Sequence, residues 1–258
     1  TPGAVYTWSR TNEAIGLAAN SGTGNIPAFT ATNAGAAPLS STFSVVATFT
    51  QNGVTCTGSP IQFTVTINPN PAVNVVANQT YCTGAAVPSV VFTSNVSGVV
   101  FSWSRTNEAI GLANNSGTGP VPAFTATNAG ATPLTSTFSV VATLTNNGVT
   151  CTGTPIQFTI TVNPTPTVSA SQTSQTVCNG SPTTAISFTG IATIFNWTNN
   201  TPSIGLAASG SGNIASFTAT NTGGAPVVAT ITVTPAFVNN GVTCTGTPIV
   251  TTITVNPT

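Results

Sequence analysis

The chain has no lysine, aspartate, histidine or methionine, and its 258 residues carry only two arginines and two glutamates. Each absence removes a chemistry. Zinc wants imidazoles or a set of thiolates, and there is no histidine. Calcium wants several carboxylates in one place, and the two here, Glu13 and Glu108, lie 95 residues apart. A lone glutamate without a second carboxylate or a histidine is a poor acid–base device, so no catalytic residue is expected. Without lysine the Ser-Gly-Thr-Gly stretches at Ser21–Gly24 and Ser116–Gly119 lack the cation of a phosphate loop and read as plain turns. Net charge is zero, with no basic patch to attract nucleic acid. No apolar run approaches the ~20 residues that cross a bilayer as a helix. No cofactor or metal is expected.

Charged residues make up 2% of the chain, against roughly a quarter in ordinary globular proteins. Disorder needs high charge and low hydrophobicity, whereas here 40% of residues are apolar. What remains is threonine, serine, asparagine, glycine and alanine with valine, isoleucine and phenylalanine. That is the palette of a β-protein with a neutral surface.

The sequence repeats itself. Trp8, Trp103 and Trp197 stand 95 and 94 residues apart; Cys56, Cys151 and Cys244 stand 95 and 93 apart. The phrase NNGVTCTG occurs at Asn146–Gly153 and Asn239–Gly246, with QNGVTCTG at Gln51–Gly58. The period predicts three domains, 1–70, 71–165 and 166–258. Val5-Tyr6-Thr7-Trp8 aligns with Val100-Phe101-Ser102-Trp103, so the first repeat is expected to lack its leading strands.

Within each repeat the apolar residues alternate. Phe138, Val140, Ala142 and Leu144 fall on one face of one stretch, and Pro155–Val162 alternates in the same way. Period two marks a strand with one buried face. Val73–Ala77, Val87–Thr93, Val99–Arg105 and Val121–Thr127 are further candidates, divided by Gly, Asn and Pro. Six or seven short strands per ~95 residues predict an all-β fold, a tandem array of immunoglobulin-like β-sandwich domains with Trp8, Trp103 and Trp197 in their cores. Asn107–Asn115 has room for one helical turn at most. Arg10/Glu13 and Arg105/Glu108 read as local, exposed ion pairs worth under about 1 kcal/mol.

Each complete repeat owns an early and a late cysteine. The spacing predicts one bridge per domain, Cys82–Cys151 and Cys178–Cys244, each closing a loop of about 70 residues worth about 4 kcal/mol in the chain-entropy model. Cys56 is then expected to pair with a residue N-terminal to Thr1. Disulfides imply an oxidising, extracytoplasmic setting.

The recurring tryptophan, the YCTG and VCNG starts, the NNGVTCTG hairpin and the ITVNPTP exit resemble the PKD-like and immunoglobulin-like repeats of very large surface adhesins from gliding Bacteroidota. The resemblance covers the whole chain. It implies a non-enzymatic segment of a cell-surface stalk, exported by the type IX route, with a part in gliding motility. The joints Asn68-Pro-Asn-Pro71 and Asn163-Pro-Thr-Pro166 suit short, semi-rigid spacers. Two other readings remain open from the sequence. One is a subunit of a self-assembled extracellular filament; the other is a carbohydrate- or surface-binding module, which needs an exposed aromatic platform. Expected partners are neighbouring copies of the repeat, bundled laterally through sheet edges that carry no charged guards, together with a surface or glycan target.

Overall fold

A computed structural model describes residues 2–11, 13–106 and 108–258. The fold is all-β, and one strand pattern occurs three times. The first sheet holds β1 (Val5–Arg10), β2 (Ser21–Thr23), β3 (Leu39–Gln51), β4 (Val54–Thr57) and β5 (Ile61–Ile67). The second run comprises β6 (Gln79–Cys82), β7 (Ala86–Val87), β8 (Val100–Arg105), β9 (Ser116–Thr118), β10 (Phe124–Thr125), β11 (Leu134–Asn146), β12 (Val149–Thr152) and β13 (Ile156–Asn163). The third comprises β14 (Ser169–Ala170), β15 (Ser174–Cys178), β16 (Phe188–Thr189), β17 (Ile194–Asn199), β18 (Ser209–Ser211), β19 (Val227–Asn239), β20 (Val242–Thr245) and β21 (Ile249–Asn256).

The long strand organises each sheet. β11 has β8 along one side, while β13 takes its first half and β12 its second half on the other. Its burial alternates as the sequence pattern predicts, with Phe138, Val140 and Ala142 wholly enclosed. β6 then lies parallel to β13, so that Cys82 is level with Asn163. The third sheet repeats this arrangement, with β15 parallel to β21 and Cys178 level with Asn256.

A thinner layer covers the inner face. β7 pairs β10 over two residues, and Val73↔Ser94 and Val90↔Val121 are isolated bridges. The longer strands expected at Val73–Ala77, Val87–Thr93 and Val121–Thr127 are therefore cut short. Pro71, Pro88, Pro120 and Pro122 stand in or beside these stretches and donate no backbone N–H to a ladder. Val87, Val90 and Phe92 from this layer pack with Trp103, Phe138 and Phe158 in one core.

Trp8, Trp103 and Trp197 are 4%, 4% and 8% exposed, which leaves none of them available as a binding platform. The Ser-Gly-Thr stretches are short strands, not plain turns: β2 and β9 pair with the tryptophan strands β1 and β8. A Cβ at Gly117 would stand 2.7 Å from Cζ2 of Trp103, so only glycine lets the indole lie on that strand. Among the described residues the one helical piece is a 3₁₀ turn at Pro202–Ile204; residues 108–115 have none, and Asn107 lies outside the described set. No described helix is long and apolar enough to cross a membrane.

The first sheet differs in one respect. β5 pairs β3 on one side, and no strand among the described residues lies along its other edge. Phe63 is 44% exposed where its counterpart Phe158 is 1% exposed.

Candidate functional site at the joints

The three copies of the cysteine hairpin turn identically. Asn52, Asn147 and Asn240 have φ of 49°, 49° and 48°, and Gly53, Gly148 and Gly241 follow with φ of 80°, 76° and 75°. Two successive positive φ values give the type I′ turn that Asn-Gly favours, whose twist matches the strands it joins. The turn holds β4, β12 and β20 beside the end of the long strand and carries Cys56, Cys151 and Cys244 with them.

Two of these hairpins dock on the segment that precedes their sheet. Asn146 donates from Nδ2 to Oδ1 of Asn68 at 2.8 Å, and Asn239 donates to Asn163 in the same way at 2.8 Å. A Cβ on Gly153 would sit 1.9 Å from the Pro71 carbonyl oxygen, and one on Gly246 would sit 1.9 Å from that of Pro166. The glycine of the VTCTG phrase thus lets the linker backbone pass against the hairpin. At the second joint Asn240 also donates to Oγ1 of Thr80 at 3.3 Å.

A disulfide joins Cys82 to Cys244 across this second joint, with Cα atoms 5.5 Å apart and a sequence separation of 162. Cys56, Cys151 and Cys178 are free thiols. This overturns the expected pairs Cys82–Cys151 and Cys178–Cys244. The reason is strand direction. Cys82 is level with Asn163, beside the start of β11 at Leu134, whereas Cys151 is opposite Leu144 near its end. Ten residues of strand at about 3.3 Å each separate the two by roughly 33 Å, and a disulfide spans about 6 Å between Cα atoms. Cys178 and Cys244 are kept apart in the same way by β19. Early cysteines lie at the far end of their sheet and late cysteines at the near end, so the contact each can make is with the neighbouring repeat.

The arginines also depart from expectation. Arg105 donates from Nε to the Asn114 carbonyl at 2.9 Å, and from Nη1 to the carbonyls of Thr106 at 3.0 Å and Glu108 at 2.8 Å. Nη2 reaches the Leu112 carbonyl, and Arg10 makes the matching contacts in the first repeat. The guanidinium clamps a loop by its backbone; the partner it was expected to find, a glutamate carboxylate, is not among these acceptors. Burial lowers the pKa of Arg105, and the charge of Glu108 opposes that shift. In the third repeat Asn199 takes the arginine's place and donates to the Leu206 carbonyl at 3.0 Å. Arg105→Ala is expected to destabilise the second repeat by about 1–3 kcal/mol in urea unfolding by stranding those carbonyls. Arg105→Asn is expected to recover part of that loss.

Burial raises the pKa of Tyr81, whose hydroxyl donates to Oε1 of Gln79 at 2.7 Å. As pH rises through the ordinary tyrosine range near 10, the unfolded state loses this proton first. Folding stability must therefore fall there. A thermal melt series is expected to show the midpoint dropping above about pH 10, and less steeply in Tyr81→Phe.

Among the described residues no three His, Cys, Asp or Glu side chains gather as a metal site. A crevice of about 280 Å³ at the first joint is lined by Pro38, Pro69, Val96 and Asn146, without charge.

No protein-family model matches the chain, and no curated protein matches it in sequence. Among solved structures, mouse cadherin-23 repeats EC22–24 align over 98% of this chain and 86% of theirs, at 12% identity and a TM-score of 0.37. Drosophila N-cadherin EC1–4 aligns over 98% and 66%, at 9% identity and a TM-score of 0.40. The N-terminal four immunoglobulin domains of Dscam1 isoform 1.9 align over 98% and 65%, at 12% identity and a TM-score of 0.36. Cadherin repeats and Dscam1 immunoglobulin domains are thus among the chains that this all-β protein resembles, at a distance that says nothing of what it binds.

Proposed function

We propose that the chain is a non-enzymatic, load-bearing segment of a long extracellular adhesin or stalk, built from immunoglobulin-like repeats over 1–70, 71–165 and 166–258. The observation that carries this reading is the disulfide Cys82–Cys244, which fastens two successive repeats to each other and not each to itself. A bridge inside one domain protects that domain alone. A bridge across a joint fixes the angle between neighbours and keeps force from unravelling the chain it encloses. The docked Asn-Gly hairpin, the Asn–Asn pair and the linker proline against glycine recur at both joints, which supports a joint repeated for stiffness. The disulfide fits an oxidising exterior. The sequence motifs extend the reading to the surface of a gliding bacterium.

Pulling the chain by its ends tests the proposal. The oxidised form must release less length than the reduced form; equal lengths in both states would sink it.

A further inference from the structure

We propose that Asn52, Asn147 and Asn240 are self-modification sites, where each hairpin loses ammonia and gains a carboxylate by reaction with water alone. Asn179, the fourth asparagine that precedes a glycine, is held inert by the hydrogen bonds around it.

Asparagine is thermolabile, and before glycine it is most exposed to attack, because the glycine nitrogen has no Cβ beside it to hinder its approach. The attack forms a bond from that nitrogen to Cγ of the asparagine and breaks the Cγ–Nδ2 bond. The glycine N–H proton leaves with the amide nitrogen as ammonia, and a cyclic imide remains. Water then adds to either imide carbonyl and breaks its bond to the ring nitrogen. One route gives aspartate; the other gives isoaspartate, with the backbone running through the side chain. The acid proton passes to ammonia, so asparagine and water become a carboxylate and ammonium.

The reaction needs a free glycine nitrogen and an open side-chain carbonyl, and the three hairpins supply both. In the third copy the ladder bonds next to the turn belong to its flanking residues, Asn239 and Val242. The N–H groups of Gly53, Gly148 and Gly241 meet no acceptor among the described residues, and Asn52, Asn147 and Asn240 are exposed. Nδ2 of Asn240 donates to Oγ1 of Thr80 at 3.3 Å, which leaves the carbonyl side of that amide open.

Asn179-Gly180 is the same pair in sequence and a different one in the fold. The Gly180 N–H donates to the Ala219 carbonyl at 2.8 Å, and the Asn221 N–H donates to Oδ1 of Asn179 at 2.9 Å. The second bond polarises the side-chain carbonyl but also fixes its plane. The first withholds the nitrogen that must attack, and that decides the rate.

Each reaction adds one negative charge to a chain whose formal net charge is zero. In the second and third repeats it falls next to Asn146 and Asn239, which bond the joints at Asn68 and Asn163. A net charge near zero favours association of copies, and every step moves the chain away from it.

The test stores the full chain, with Cys82–Cys244 closed, in warm neutral buffer and follows it by ion exchange and peptide mapping. Acidic species are expected to appear in three successive steps, with aspartate and isoaspartate at Asn52, Asn147 and Asn240. Asn179 should react at least about tenfold more slowly, since its two hydrogen bonds must break first. In concentrated guanidinium chloride the four rates should converge, because only the fold separates them. Asn179 keeping pace with the hairpins in the folded chain would overturn the proposal. So would hairpins that stay intact while the denatured chain reacts, or an unchanged order of rates in denaturant. None of these outcomes bears on the Cys82–Cys244 joint, so the load-bearing reading stands or falls separately.

Discussion

Pulled by its two ends with Cys82–Cys244 closed, the chain is expected to release roughly 570 Å less contour length than when the bridge is open. The bridge spans a sequence separation of 162, and an extended chain gains about 3.5 Å per residue step. Both later cores can then unfold without lengthening the path between Cys82 and Cys244. Opening the bridge, by reductant or by Cys82→Ser, returns that length. Single-molecule force spectroscopy measures it directly. The three free cysteines should first be changed to serine, so that thiol exchange does not move the bridge. At equilibrium the same change should destabilise the two repeats by about 5 kcal/mol in the chain-entropy model, more than a bridge inside one repeat would contribute, because the enclosed loop is longer. A variant whose released length matches the oxidised parent would show that the bridge does not carry the load.

Trp103→Ala is expected to unfold the second repeat while the third keeps its core. The indole is buried against Phe138, with ring centres 6.0 Å apart, and lies over Gly117. Removing a fully packed aromatic side chain destabilises by about 3–5 kcal/mol, a large part of the stability of a domain this size. Gly117→Val tests the same contact from the other side, since its Cβ would meet the indole at 2.7 Å. Calorimetry should show the transition of the second repeat lost or shifted down in both variants, with the third close to its parent value. A Trp103→Ala protein that melts like the parent would overturn the core assignment.

Alternation along Phe138, Val140, Ala142 and Leu144 was legible in the sequence because a strand's side chains alternate faces whatever surrounds them. The Asn-Gly turns were legible for a similar local reason: only such pairs take two positive φ values cheaply. Stretches such as Val87–Thr93 misled, because β-propensity there is strong while the nearby prolines leave no ladder to join. The arginines misled for another reason. Their spacing to a glutamate was visible, but the cluster of backbone carbonyls that holds each guanidinium exists only once the loop has closed.

The cysteines mark the boundary most clearly. Sequence alone determined the period, the faces of the long strands and the Asn-Gly turns, since each follows from residue types a few positions apart. Which thiol meets which was decided only by tertiary structure. β6 runs parallel to β13, which puts Cys82 at the far end of its sheet, a strand's length from Cys151 and beside the hairpin of the next repeat. Strand direction is a property of the assembled sheet, and no spacing along the chain encodes it.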